Sequence, residues 1–348
     1  MTTESRFCRA EEGQLLTALV LLGVIIVAGA CRPGTAGEHE IVLKEHVSRR
    51  WTNELLSYPF EAAEGACHVD SVTLRGPEGP EPVQLSDVAY WPATRTVKSA
   101  MLWLVADLAP LAANVYTVGY QAAPSEGPGV RGDLAVTAND AEVEMSTSRF
   151  GARLRLGGET YAEPRPAAEA PGPVAALRLA DGTWFGASRL FGDTKLTGWS
   201  AQLAAEGPVF GEVQYTYQYE DGNTVTLNAR LYAGAAGLDW ETFAPEDRPE
   251  DGVQIVLSEG LPALTLVVQR EAYEDRPEIE GIPWGTWVEI PLASYDEELV
   301  TNVSPWADWW STWTQTSVRL GIGGRDRELQ LASHDPGAWV QPAAPGTM

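Results

Sequence analysis

The run Gly207 to Gly234 (GPVFGEVQYTYQYEDGNTVTLNARLYAG) constrains the fold more than any other part of the chain. On its first arm Val209, Val213, Tyr215, Tyr217 and Tyr219 fall on alternate positions, with Glu212, Gln214, Thr216, Gln218 and Glu220 between them. On the second arm Val225, Leu227, Ala229 and Leu231 alternate with Thr224, Thr226, Asn228 and Arg230. A period of two sends successive side chains to opposite faces of a sheet. The run therefore reads as a long antiparallel hairpin, apolar on one face and wet on the other. Paired residues share a face, which sets Tyr219 opposite Val225 and makes Asp221-Gly222-Asn223 a three-residue loop. Such loops need one left-handed residue, here expected at Asn223.

The rest of the chain agrees with an all-β build. Its 348 residues favour two domains, each large enough for its own core. Thirteen Trp with 34 Gly and 24 Pro suit a loop-rich β protein better than a helical one. Against 24 Lys and Arg stand 48 Asp and Glu, a formal charge of −24. So acidic a chain lacks the basic footprint that nucleic acid requires. Acidity does not argue against polysaccharides, which are held mostly by aromatic faces and hydrogen bonds.

Leu15 to Ala30 is an uncharged apolar run ending at Cys31. It has the length of a signal-peptide core and is short for a membrane span. Val27-Ala28-Gly29-Ala30-Cys31 resembles a bacterial lipobox, which implies lipidation of Cys31 and a membrane anchor there. A cleaved secretory signal and an uncleaved anchor stay open. Ala28 stands where Leu is usual, and Glu4, Glu11 and Glu12 accompany Arg6 and Arg9. All three readings export the remainder to the cell envelope or beyond it. Past Cys31 only Cys67 remains, so neither a disulfide framework nor a cysteine metal site is expected. Cys67 reads as a small buried hydrophobe. His39, His46, His68 and His334 are scattered without ligand spacing. No nucleotide loop, nucleophile elbow or zincin helix occurs, and no cofactor is implied.

In order, the chain divides into a signal segment (1–31), a tether (32–40), a small β domain (41–121), a Pro/Gly-rich linker (122–132), a large β domain (133–331) and a Pro/Gly-rich tail (332–348). In the small domain strands are expected at Val69 to Leu74, Pro82 to Leu85, Ser99 to Leu108 and Ala113 to Tyr120, with a turn at Pro77 to Pro80. In the large one they are expected at Ala135 to Met145, Ala152 to Leu156, Val174 to Leu179 and Trp184 to Phe185, and then in the hairpin. Gly237 to Phe243, Gly252 to Leu257, Leu264 to Gln269, Trp287 to Ile290 and Val318 to Ile322 follow. Many short strands between turns indicate an antiparallel sandwich.

Pro82-Val83-Gln84, Tyr90-Trp91-Pro92, Val97-Lys98-Ser99, Leu102 to Leu108 and Val115-Tyr116-Thr117-Val118 form a series. It resembles the first domain, a small RIFT-type β-barrel, of the exo-rhamnogalacturonan lyase (YetA-like) family. Thr94-Arg95-Thr96 stand where that family carries an Asp-Gly type turn. A similar string also occurs in β domains of family 38 α-mannosidases. The strand order of the large domain is similar to the β-sandwich that follows the barrel in the same lyases, a galactose-mutarotase-like supersandwich. Together the resemblances cover residues 41 to 331. They imply a helical toroid next, bearing the catalytic residues, yet no amphipathic helical repeat follows Leu331. The expectation is a lost toroid, or a split or truncated gene whose catalytic part is encoded separately or missing, and no catalytic residue is assigned.

Binding chemistry is concentrated in Pro305 to Trp313 (PWADWWSTW). Trp306, Trp309, Trp310 and Trp313 offer faces for the C–H surfaces of sugars, and Asp308 can accept hydroxyl hydrogen bonds. Trp284 and Trp287 lie just upstream. The alternative is a set of core tryptophans. Glu246 to Asp251 and Asp296 to Glu298 are acidic runs without the ligand spacing of a calcium loop, and read as solvated loops. Three functions stay open. The first is an exported module that binds or orients an acidic plant-type or algal polysaccharide. The second is an active lyase or glycosidase with its cleft on the sandwich face, using basic groups such as Arg189, Lys195 and Arg230. The third is a structural envelope lipoprotein without ligand.

Overall fold

The computed structural model describes residues 37–125 and 129–243, together with strands at 252–256, 264–269, 287–291, 317–322 and 328–332. The described chain is all β, built from antiparallel sheets with two single turns of 3-10 helix. It divides into two compact units, Met1–Val130 and Arg131–Met348.

The first unit holds seven strands: β1 (Gly37–Lys44), β2 (Trp51–Glu61), β3 (Thr73–Gly76), β4 (Gly79–Glu81), β5 (Gln84–Tyr90), β6 (Val97–Leu108) and β7 (Ala113–Tyr120). They form two sheets, ordered β1-β7-β3-β4 and β2-β6-β5. No strand pairing joins one sheet to the other among the described residues. A single core lies between them, with Ile41, Leu43, Leu74, Tyr116 and Val118 from one sheet and Phe60, Leu102, Leu104 and Leu108 from the other. Cys67 is buried in this core, as its reading as a small hydrophobe requires, and burial pushes its thiol up to about 11.

Three local expectations are corrected here. β1 starts at Gly37, so residues 37–40, read as tether, are strand. The segment read as a strand from Val69 opens instead as a 3-10 turn, Val69–Ser71. His68 causes this: its Nδ1 accepts from Asp70 N at 3.2 Å, while Ser71 Oγ donates to the His68 carbonyl at 2.7 Å. β2, eleven residues long, was not expected at all. Pro59 removes a backbone donor and argues against a strand in sequence, but β2 is an edge of its sheet, where that donor has no partner to lose.

The second unit continues with β8 (Ala135–Ala138), β9 (Glu142–Ser146), β10 (Gly151–Arg155), β11 (Gly157–Arg165), β12 (Val174–Arg178) and β13 (Trp184–Phe185). Then come β14 (Ala187–Phe191), β15 (Leu196–Glu206), β16 (Phe210–Tyr219), β17 (Thr224–Tyr232), β18 (Asp239–Phe243) and β19 (Gly252–Val256). Two five-stranded sheets, β13-β12-β10-β9-β8 and β11-β15-β16-β17-β18, enclose one core as a sandwich. β14 pairs with β19, and β20 (Leu264–Gln269) to β23 (Glu328–Ala332) form a further sheet with β21 (Trp287–Pro291) and β22 (Ser317–Ile322). The stretch read as one strand from Ala135 to Met145 is two. Asn139 Oδ1 accepts from Ala141 N at 2.8 Å and Glu142 N at 2.9 Å, turning the chain between them.

β16 and β17 are the expected hairpin, and its apolar face is buried: Val213, Tyr215, Tyr217, Leu227, Ala229 and Leu231 all lie in the core. Its register differs from the expectation by two residues. Tyr217 lies opposite Val225, and Tyr219 N donates to Asn223 O at 3.0 Å. The loop is therefore Glu220-Asp221-Gly222, still three residues long, and Gly222 takes the left-handed conformation (φ 85°) in place of Asn223. Glycine adopts that conformation without steric cost, whereas Asn223 is used to accept the closing bond and to donate to Asp221 Oδ1 at 3.0 Å. The opposite face is not uniformly wet. Near its start Arg230 pairs with Glu212 with little exposure of either side chain, and Phe210 beside them is buried.

Candidate functional site

In the first unit a cleft of about 750 Å³ opens between the two sheets, lined from β1, β2, β6, β7 and the β5–β6 loop. Ile41, Leu102 and Val118 form its apolar floor. Around them stand five aromatic rings, His39, Tyr58, Phe60, Trp91 and Tyr120. Strand alternation brings the first three inward. His39 is on the same row of β1 as Ile41 and Leu43, and Tyr58 is on the same row of β2 as Phe60.

The arrangement is fixed by a missing side chain. Tyr120 pairs across the sheet with Gly37, and a Cβ at Gly37 would stand 2.1 Å from Tyr120 Cζ. The phenol therefore lies across Gly37 and reaches His39, stacking on the imidazole at 5.4 Å between ring centroids with 21° between planes. Tyr120 Oη and His39 Nε2 are 3.1 Å apart, within hydrogen-bond distance. Phe60 meets both rings edge-on, at 5.9 Å from His39 and 5.3 Å from Tyr120.

Trp91 is held as a wall. Its indole N–H donates to the Ala62 carbonyl at 3.0 Å, and its backbone N–H donates to Thr96 O at 2.9 Å. Within that loop Arg95 N donates to Trp91 O, and Arg95 itself has φ 57°. An arginine thus occupies the left-handed position that an Asp-Gly turn would give to glycine. Lys98 Nζ lies 5.3 Å from the centroid of the Trp91 ring. Burial, with the neighbouring phenol of Tyr116, pushes Tyr58 up to about 12, so Tyr58 keeps its hydroxyl proton throughout the neutral range.

Flat aromatic walls, an apolar floor and a few polar groups around the opening are what a sugar ring needs, since it presents C–H faces and a rim of hydroxyls. Among the described residues no cluster of His, Cys, Asp and Glu is arranged to hold a metal ion.

No family model matches the chain. No curated protein matches it either. Among solved structures it is similar to a glycosyl hydrolase family 38 protein from Enterococcus faecalis, with a TM-score of 0.46 and 11% identity. That alignment covers 89% of this chain but 43% of the other, so this chain spans less than half of that protein's length. A likeness at this level carries no argument about function.

Trp306, Asp308, Trp309, Trp310 and Trp313, with the acidic runs and Cys31, lie outside the described residues. The residues of the cleft were not singled out as a site in the sequence. Trp91 and Lys98 do fall within the series quoted for the barrel resemblance, so a signal was present and was read for fold alone. Of the basic groups named for a sandwich-face site, Arg230 is engaged by Glu212 through its Nε at 2.8 Å. Other arginines of the sandwich are engaged too: Arg153 pairs with Glu144 at 3.0 Å while its guanidinium covers Trp184 at 4.1 Å.

Proposed function

We propose that this chain is an exported carbohydrate-associated protein that binds or orients a polysaccharide, using the cleft of its first unit. The reading is supported by one observation above all: five aromatic rings and a lysine converge on an open cleft of about 750 Å³. Its resemblance to the non-catalytic β-domains of a rhamnogalacturonan-type lyase points the same way. The tryptophans around Trp309 are a second platform under the same reading, and Cys31 is its membrane anchor.

Affinity gel electrophoresis of the full chain against acidic and neutral polysaccharides tests this. Retardation is expected, and it should be lost in Trp91→Ala. Retardation that survives Trp91→Ala but not Trp309→Ala would move the site to the tryptophan cluster. No retardation on any polysaccharide would favour a structural envelope protein.

One observation favours a second reading, in which this chain itself is a lyase. The cleft holds an imidazole hydrogen-bonded to a phenol, with an ammonium group on its wall, which are the acid–base and charge-neutralising groups of β-elimination. New ultraviolet absorbance from unsaturated uronides during incubation would establish it.

A further inference from the structure

We infer that the far end of β1, away from the cleft, carries a docking ledge for an anionic lipid surface. Val47 and Leu111 are the side chains that enter the lipid, and Arg49 and Arg50 meet its headgroups.

One carboxylate builds the ledge. Glu45 directly follows β1 and is buried, yet backbone groups of two loops take both of its oxygens. Oε1 accepts from Val47 N and Oε2 from Leu111 N, each at 2.7 Å. The Arg49 N–H and the Trp51 side chain bond to the same carboxylate, and Glu45 N donates to Ala112 O at 3.0 Å. The β1–β2 and β6–β7 loops are thus tied side by side. Val47 is 60% exposed and Leu111 69%, the two most exposed large apolar side chains among the described residues. Exposed apolar residues scattered singly are ordinary, but these two share one carboxylate. Leu111 also has φ 56° and Ser48 φ 58°, a left-handed conformation that a bulky leucine rarely adopts. The surrounding bonds hold Leu111 outward against its backbone preference, and strain of this kind collects at functional positions.

Charge identifies the occupant. Residues 46–53 carry His46, Arg49 and Arg50 and no acid, and residues 108–118 carry no charge, in a chain of formal charge −24. Three acids flank these segments. Glu45 is enclosed by its donors, Glu54 is half-buried on β2, and Asp107 accepts from Asn53 N at 2.7 Å. The Arg49 guanidinium lies 4.8 Å from the ring centroid of Trp51, which is half-buried behind the loops. Apolar tips with a basic collar and an indole behind them suit a bilayer surface, whose acyl boundary takes the tips and whose anionic headgroups take the guanidinium groups. A protein partner would have to supply a pocket for each tip. Lys44 ends β1 five residues from His39, about 17 Å along the strand, so docking here leaves the cleft open.

Hydrogen–deuterium exchange of the full chain on vesicles tests the inference, because it reads these loops even where the apolar segment before Cys31 also holds the chain on lipid. One vesicle is phosphatidylcholine alone, and the other contains about 30% phosphatidylglycerol. Residues 46–50 and 109–112 should be protected on the anionic vesicle, and the protection should fade as salt rises towards about 0.5 M. Arg49→Glu combined with Arg50→Glu should raise the lipid concentration for half-protection about tenfold or more, with unchanged melting temperature and polysaccharide retardation. Val47→Ser combined with Leu111→Ser should raise it about tenfold too. Loops that exchange on both vesicles as in the free protein, or equally protected on both, would overturn the inference. Protection that grows with protein concentration in the absence of lipid, and is lost in Leu111→Ser, would assign the ledge to a second copy of the chain and overturn it as well.

Discussion

Each unit faces one antiparallel sheet with another, but a single glycine does opposite work in the two. In the second unit Gly211 sits on the inward row of β16, where a Cβ would stand 2.7 Å from Met145 Sδ, so the opposing sheets close tightly over it. In the first, Gly37 lets Tyr120 lie flat towards His39, and the sheets part above these rings into the cleft. The tyrosines differ in the same way. Tyr215 and Tyr217 are fully buried, and their hydroxyls donate to the carbonyls of Pro173 at 3.1 Å and Pro171 at 3.3 Å. Burial pushes both phenols far up. These rings complete a core and leave no face for a ligand. Aromatic residues are thus abundant in both units, and only packing distinguishes the ones that fill from the ones that line.

Substitutions can break or sharpen that contrast. Tyr217→Ala removes a buried ring and its hydrogen bond, and should cost about 3–5 kcal/mol in denaturant unfolding while leaving polysaccharide retardation intact. A loss of binding in that variant would merge the roles of the two units. Gly211→Val overpacks the sandwich and should cost about 1–3 kcal/mol, again without effect on binding. Its counterpart Gly37→Val displaces the Tyr120 ring, so its main consequence should appear as weaker binding in affinity gels.

A further effect concerns the opposite sides of the first unit's loops. Burial alone would push Glu45 up, but backbone N–H groups of Leu111 and Val47, each 2.7 Å from its carboxylate, outweigh burial and hold it down at about 2. The ionised form is therefore favoured in the folded state. Its contribution is complete above the ordinary carboxylate value of 4.5 and is lost as pH falls from there towards about 2. Glu45→Gln should flatten the acid limb of the unfolding midpoint plotted against pH. Asp133 is its analogue in the second unit: burial pushes it up, and hydrogen bonds from Ser148 and from Gly234 N prevail and lower it. The smallest change expected is a gain. Arg95→Gly relieves a left-handed arginine and should stabilise the protein by about 1 kcal/mol in thermal unfolding, less whatever the Arg95–Tyr90 contact supplies.

The sandwich was readable because alternation is local. Tyr215, Tyr217, Leu227 and Ala229 announce their face within a few residues, and that face is buried. The turn register was less readable, because Asp221-Gly222-Asn223 offers two residues able to take positive φ. Pairing across the hairpin decides between them, and pairing is not local. β2 was hidden by Pro59, whose meaning depends on being at an edge. The cleft was hidden for a stronger reason. Its members come from five separate places in the chain, and His39 and Tyr120, in direct contact, are 81 residues apart. Nothing about either residue marks it until β1 and β7 pair. The tryptophan cluster stood out because its residues are adjacent in sequence, and adjacency is no measure of convergence in space.

Hydrogen–deuterium exchange of the full chain, with and without a bound oligosaccharide, tests most directly whether the ligand sits in the first unit. Protection is predicted at residues 37–41, 58–63 and 91–99, with the sandwich strands from Val143 to Leu231 unchanged. Protection confined to the sandwich, with the cleft segments exchanging as in the free protein, would contradict it.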